Sequence, residues 1–350
     1  MKILVAMSGG VDSTVAAHIL NKEGHEVAGA YMQMLDTEAS RQAAESAGLA
    51  ARKMGIPFYL IDARASFKAN VLEYFVRAYL EGSTPNPCIQ CNKTIKFGLF
   101  IQKAIELGYD KIATGHYARI VYNEDTGLYE LRQSSDKHKD QSYFLYQLDQ
   151  EQLSRSVFPL EGISKETVRA IAEDFGFANA KSKDSQDICF VENGKYINYI
   201  EEYTGKTLEP GCFVDINGNI LAKHKGIANY TIGQRKGVGV SLGMGVPAYV
   251  ISKDATTNTV VMGEDSLLYT NIIKGTQVRF TDGKMPHEAV RVQAKHRYNQ
   301  TPSDATIRVE QTDGKRFVIA EFDNPQRAVT PGQSLVFYDG DKILGGAIVV

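Results

Sequence analysis

Along the first third of the chain the apolar positions switch repeatedly between short continuous runs and helical spacing. Ile3 to Met7 is a continuous run of the kind shown by a strand buried on both faces. Val11, Val15, Ala16, Ile19 and Leu20 follow at helical spacing, which predicts a helix over 12–23 that ends at Gly24. Val27 to Met32 reads as a second strand, 38–54 as an Ala-rich helix stopping near Gly55, Pro57 to Ile61 as a third strand, and 65–81 as a helix ending at Gly82. A Pro-rich loop over 83–92 leads into a helix over 93–107, and Lys111 to Thr114 forms a further strand. This alternation predicts an α/β unit with a parallel, Rossmann-like sheet covered by helices.

The pattern changes near residue 195. Glycines and β-branched residues increase, and Asn217-Gly218 and Asp282-Gly283 are hairpin-type dipeptides. From about 266 the alternation is nearly all β, as in Val278-Arg279-Phe280, Ala305 to Val309 and Phe317 to Ala320, which predicts a small barrel or sandwich. Three parts follow: 1–195, 196–265 and 266–350.

Composition narrows the class. Of 350 residues, 43% are hydrophobic and 23% charged, which excludes global disorder. The formal net charge of -2 means that any nucleic-acid surface is a local patch. No apolar run reaches the roughly 18 residues of a membrane span, and Met1 to Met7 is too short for a signal-peptide core. Four cysteines, Cys88, Cys91, Cys189 and Cys212, are too few for a secreted disulfide framework. A cytoplasmic, reducing location with no membrane partner is the expectation, and the thiols are then available for chemistry.

Met7-Ser8-Gly9-Gly10-Val11-Asp12-Ser13 lies between the first strand and the first helix. Paired glycines let backbone approach a ligand, the helix N-terminus points amides at the loop, and Ser8 and Ser13 add hydroxyls, as in a phosphate cradle. The Gly-Lys-Ser/Thr ending of a Walker A loop is missing, and the spacing differs from a dinucleotide fingerprint. A tight strand-to-helix turn capped by Asp12 or Ser13 is the plainer alternative.

Cys88 and Cys91 form a Cys-x-x-Cys in the Pro-rich loop, and Cys189 lies in Lys183-Asp184-Ser185-Gln186-Asp187-Ile188-Cys189-Phe190. Three readings are open. A structural zinc site lacks a fourth ligand at standard spacing. Buried inert thiols suit Cys212 better than Cys91, whose Asn and Pro neighbours predict an exposed loop. A reactive pair, distant in sequence and close in space, gains if the helix starting at Asn92-Lys93 lowers the pKa of Cys91.

The Ser-Gly-Gly-Val-Asp-Ser string resembles the PP-loop of the N-type ATP pyrophosphatases. Further strings agree in order: Thr84 to Asn92, Ala113-Thr114-Gly115-His116-Tyr117-Ala118, Lys139 to Leu145, the Cys189 string, Gly233-Gln234-Arg235-Lys236-Gly237 and Arg297-Tyr298. Together they resemble the tRNA-specific 2-thiouridylase family along the whole chain. The resemblance implies an adenine nucleotide alpha hydrolase-like N-terminal domain for ATP binding and catalysis (1–195), a small central domain (196–265) and a C-terminal β-barrel for tRNA binding (266–350).

It also implies roles. Ala6, Met7, Ser8, Gly9, Gly10, Val11, Asp12, Ser13, Met32 and Gly115 would bind ATP, with Asp12 helping to hold Mg²⁺. Asn86, Pro87 and Cys88 would approach the target uracil. Cys91 would be the catalytic nucleophile and Cys189 the persulfide carrier. His116, Lys139, Asp140, Gln141, Arg297, Tyr298 and Gln333 would lie against tRNA. The implied reaction is 2-thiolation of the wobble uridine of tRNAs for lysine, glutamate and glutamine. It releases AMP and pyrophosphate, with sulfur from a cysteine desulfurase or relay protein, and the enzyme is expected to be a monomer. A rival mechanism places a [4Fe-4S] cluster on Cys88, Cys91 and Cys189. Some family members have Asp where this chain has Cys88, which removes a general base from that position. Lys295-His296-Arg297-Tyr298, Lys223-His224-Lys225 and Arg235-Lys236 are the basic and aromatic strings from which RNA contacts are expected. The competing function is a PP-loop synthetase that adenylylates a small metabolite, for which Cys91 and Cys189 are dispensable. A third reading, an RNA-binding module with a zinc-type Cys-x-x-Cys, predicts no use of ATP.

Overall fold

The computed structural model describes residues 1–177, 179, 188–191, 194–242 and 246–350. Three sheets follow one another along the chain. The first is parallel, with β1 (Lys2–Ala6), β2 (Glu26–Gln33), β3 (Phe58–Asp62), β4 (Lys111–Ala113) and the two-residue β7 (Ser156–Val157) in the order β3-β2-β1-β4-β7. The chain leaves β1 toward β2 and β3, then returns to place β4 on the other side. Between β1 and β4 lies the switch point at which ligands enter open α/β sheets.

The helices start where their caps dictate. Helix α2 (Glu38–Met54) begins at Thr37, whose side chain accepts from the Ser40 amide, and ends at Gly55 in left-handed backbone. The stop near Gly55 is therefore found as expected. Helix α3 covers 64–80, with a π turn at Lys68–Leu72. Helix α4 departs from expectation: it begins at Pro87, not at residue 93, and continues to Glu106 through a π stretch at Asn92–Leu99. Asn86 caps it by accepting from the Cys88 amide at 3.2 Å, and Pro87 occupies the first helical position, where its missing N–H costs nothing. Both cysteines of the Cys-x-x-Cys are therefore helical.

The second sheet, order β10-β11-β8-β9, consists of β8 (Gly211–Val214), β9 (Ile220–His224), β10 (Tyr249–Asp254) and β11 (Thr259–Gly263). Asn217-Gly218 turns β8 into β9 as predicted. The third sheet is a closed six-stranded barrel of β12 (Tyr269–Phe280), β13 (Val290–Lys295), β14 (Ser303–Thr312), β15 (Lys315–Arg327), β16 (Ser334–Asp339) and β17 (Lys342–Val349). It runs β12-β15-β14-β13-β16-β17 and closes by pairing β12 with β17. Asp282-Gly283 does mark a turn, but β12 and β13 are not neighbours, because a turn dipeptide fixes chain reversal and not pairing. Ile273, Val292, Ile307, Val318, Phe322, Leu335 and Phe337 fill the barrel.

The hairpin β5 (Ala118–Asn123) and β6 (Leu128–Gln133) leaves the first sheet and extends the barrel sheet alongside β17. A charge network fastens the junction. Glu130 is 4% exposed and accepts from Arg132 at 2.6 Å, Lys342 at 2.8 Å and Asn123 at 3.0 Å. Asp341 pairs with Arg132 and Arg119. Desolvation alone would raise the Glu130 carboxyl, but the bonds from Lys342, Arg132 and Asn123 outweigh it and hold it at about 2. A depressed carboxylate stabilises the fold above its unfolded pKa and loses that contribution as pH falls toward the folded value. The wild-type chain is expected to lose about 3 kcal/mol more stability than Glu130→Gln between roughly pH 5 and pH 2, by denaturant titration. Equal losses would refute this.

Candidate active site

β1 ends at Ala6, and Met7 to Gly10 turn the chain into α1 (Val11–Lys22). Gly9 has φ +82°, and a Cβ there would lie 2.6 Å from the Ala43 carbonyl oxygen, so glycine is required on both counts. The loop is laced internally: Ser8 N donates to Ser13 Oγ at 3.0 Å, and Ser13 Oγ and Thr14 Oγ1 each donate to Gly10 O at 3.1 Å. The cap position of α1 is Gly10, which has no side chain to cap with, and the turn before it is tied instead by Ser13 Oγ accepting from Ser8 N. From β4 the chain passes Thr114 to Gly115, where a Cβ would lie 2.8 Å from the Ser13 amide nitrogen. Gly115 thus lies against the loop, as expected of a nucleotide-site residue. Met32, buried near the end of β2, lies one strand over from β1.

The Asp12 carboxylate is occupied. Lys165 Nζ donates to its two oxygens at 2.6 and 2.7 Å, and Tyr117 OH donates at 2.9 Å. Lys165 begins helix α6 (Lys165–Asp174), which follows the short α5 (Gln150–Ser154) and is capped by Ser164. Asn179 Nδ2 donates to Gly9 O at 2.8 Å and to Thr14 Oγ1 at 3.0 Å. None of Lys165, Tyr117 and Asn179 was anticipated as a site residue. Tyr117 lay inside a recognised string; Lys165 and Asn179 carry no local signal, since their partners are 153 and 170 positions away.

The thiols converge. Cys91 faces the core on α4, 7% exposed, with its Sγ 3.9 Å from Met34 Sδ. Cys189 and Cys88 are reached by solvent. Phe190, beside Cys189, inserts into the core shared with α3 and α4, at 5.8 Å from the Phe67 ring and 5.1 Å from Phe75. Cys88, Cys91, Cys189 and the Lys96 ammonium act on one another electrostatically. Desolvation pushes the Cys91 thiol up to about 12, against the opposing effect of Lys96. Desolvation raises Cys88 and Cys189 too, although solvent reaches both. Two expectations are corrected. Cys91 is not in an exposed loop, and burial, not a helix N-terminus, dominates its proton affinity, because the helix starts four residues before it. Cys212 is half-buried on β8, away from the other three in sequence. Among the described residues no three His, Cys, Asp or Glu side chains are grouped to hold a metal ion.

Residues expected against RNA mostly fasten the molecule to itself. Gln333 Nε2 donates to Thr84 O at 2.7 Å and Arg297 Nη2 to Ala328 O at 2.6 Å. Tyr298 OH donates to Asp140 O at 2.9 Å. The Asp140 carboxylate accepts from Ser134 N at 2.8 Å and Ser142 Oγ at 2.8 Å, and Gln141 Oε1 accepts from Tyr117 N at 3.1 Å. His116 bonds Thr114 Oγ1 at 2.7 Å and packs on Phe97 and Phe158; desolvation lowers its pKa well below the ordinary value, so it is neutral. Lys139 is half-buried. The Lys295 to Tyr298 string is not an open stacking platform: Lys295 is 7% and His296 0% exposed, and Lys295 Nζ lies over the Tyr143, Tyr298 and Tyr338 rings. His224 is likewise buried, while Lys223, Lys225, Arg235 and Lys236 are exposed. Asn86, Pro87 and Cys88 form the mouth of α4, and Thr84 N donates to Pro331 O of the barrel at 2.8 Å. No helix among the described residues is long and apolar enough to cross a membrane.

Comparison with known proteins is consistent along the chain. The tRNA methyl transferase HUP domain family matches residues 1–193, the tRNA methyl transferase PRC-barrel domain 197–264 and the aminomethyltransferase beta-barrel domain 270–349. The tRNA-specific 2-thiouridylase MnmA of Acetivibrio thermocellus is 46% identical over 99% of this chain and 99% of its own length. Its counterpart from Clostridioides difficile is 46% identical, over 99% and 98%. That from Treponema denticola is 44% identical, over 100% and 98%. The domain descriptions speak of methyl transfer and the full-length relatives of thiolation; identity over whole chains is the stronger of the two. With its nucleotide-type loop and three convergent thiols, this chain belongs to the tRNA-specific 2-thiouridylase family.

Proposed function

We propose that this protein is a tRNA-uridine 2-sulfurtransferase that uses ATP to replace the C2 oxygen of the wobble uridine of tRNAs for lysine, glutamate and glutamine with sulfur. The observation that supports this most is that Cys91 lies near enough to Cys88 and Cys189 to feel both electrostatically, in a chain whose sheet switch point carries the glycine loop. The loop amides and hydroxyls bind the phosphates of ATP, and Mg²⁺ arrives with the nucleotide. The uracil C2 oxygen attacks the α-phosphate, pyrophosphate leaves, and O2 becomes an adenylate ester. The terminal sulfur of a Cys189 persulfide, loaded by a desulfurase or relay protein, attacks C2, and AMP departs. Cys91 then gives up its proton and attacks the Cys189 sulfur, which releases the 2-thiouridine and leaves a Cys91–Cys189 disulfide. A dithiol reductant restores both thiols. A resting Cys91 with its pKa raised to about 12 suits a resolving thiol that stays protonated until the substrate is in place. Asn86, Pro87 and the exposed Cys88, at the start of α4, receive the extruded base, and an anticodon loop splays at small cost.

The test is incubation of purified protein with ATP, Mg²⁺, a cysteine desulfurase with cysteine as persulfide donor, a dithiol reductant and unmodified tRNA. Mass analysis of nucleosides should find 2-thiouridine, with AMP released in step. Active, folded protein that yields neither product would end this reading.

A further inference from the structure

Helix α1 carries Asp12, Ser13 and Thr14 in its first turn, and its cap residue, Gly10, makes no side-chain cap hydrogen bond. Ser13 and Thr14 turn their hydroxyls onto Gly10 O, and Asp12 is held sideways by Lys165 and Tyr117. A carboxylate in the first turn is drawn to the helix N-terminus, where the amides and the dipole favour an anion. Left there, it would compete with a phosphate for the same donors and repel it. We propose that Lys165 is a positioning residue of the nucleotide loop: it holds the Asp12 carboxylate away from the end of α1 and leaves the first-turn amides to the phosphates of ATP. This rests on the reading of the loop as an ATP site.

The contact is built to last. Both Asp12 oxygens are engaged by one ammonium whose side chain is 7% exposed, against 30% for Asp12. The segment that presents Lys165 is fixed to α1 independently. Phe175 and Phe177 pack on His18 with ring centroids 4.2 and 5.8 Å apart, and Asn179 bonds Gly9 O and Thr14 Oγ1. The motif lacks the lysine of a Walker loop, and a distant helix supplies an ammonium that acts through Asp12.

The test is equilibrium binding of α,β-methylene ATP to the full chain in EDTA, which removes any magnesium contribution at Asp12. Lys165→Met is expected to weaken binding about tenfold or more, and Lys165→Arg to restore most of it. Asp12→Asn in the Lys165→Met background should recover affinity to within about threefold of Asp12→Asn alone, because the competing charge is gone. Lys165→Gln serves the same comparison should the methionine variant fail to fold. Unchanged affinity in Lys165→Met overturns the proposal. So does a double variant as weak as Lys165→Met, which would mean that the ammonium touches phosphate directly. A wild-type chain that does not bind the analogue would overturn the nucleotide reading itself, a different and separable result.

Discussion

Cys91→Ser is expected to lower 2-thiouridine formation by on the order of 10³-fold or more, while ATP binding changes little. A serine oxygen cannot accept the sulfur-to-sulfur exchange that ends the cycle, whereas the exchange changes volume hardly at all. The buried site has Met34 Sδ at 3.9 Å as its polar neighbour, so the hydroxyl costs about 1–3 kcal/mol of stability. A single-turnover assay with persulfide-loaded protein separates two failures. If thiolation persists undiminished in Cys91→Ser, Cys91 has no part in the sulfur transfer. If a mixed species of tRNA bound through Cys189 accumulates, the resolving role of Cys91 is the one lost.

Phe190→Ala is expected to cost more stability than Cys91→Ser. The ring is 9% exposed and meets Phe67, Phe75 and Tyr199 at 5.8, 5.1 and 5.0 Å. Truncation of a buried aromatic costs about 3–5 kcal/mol. Phe190 is also the anchor of Cys189, so its loss frees the carrier from the core that holds Cys91. Thiolation should fall about 10²-fold, because displacing a reacting group by about an ångström has an effect of that size. Cys189 should alkylate faster at the same time. Phe190→Leu keeps most of the apolar volume and is expected to cost less than Phe190→Ala. A Phe190→Ala protein as stable and as active as wild type would refute the anchoring role.

The α/β alternation was readable because β1, β2, β3 and β4 are short apolar runs and most helices end at a glycine, whereas the two-residue β7 leaves no such mark. The start of α4 was not. Asn86-Pro87 reads equally as a loop and as a cap followed by a first-position proline, and only tertiary packing of Ile89 and Cys91 decides for helix. The basic strings misled for a different reason. Lys295 ends β13 opposite Val336, on a face that the tyrosines cover, so charge in the sequence became a cation over rings in the fold. Strand pairing in the barrel depends on closure and not on chain order, which is why Asp282-Gly283 announced a turn without its partner. Lys165 was invisible, since an ion pair across 153 residues leaves no trace in local pattern.

The excursion of β5 and β6 has a further consequence. Gln133 N donates to Asp341 O at 2.7 Å, Leu131 is fully buried, and Tyr143 and Tyr146 bond to Ser334. The amino-terminal portion therefore lends a hairpin to the carboxyl-terminal one and draws on it for burial in return. A polypeptide ending after residue 195 would carry that hairpin with nothing to lean on. Nature's cut-and-paste of self-sufficient modules does not apply to this arrangement: the two ends of the gene product must be made together for either to be whole.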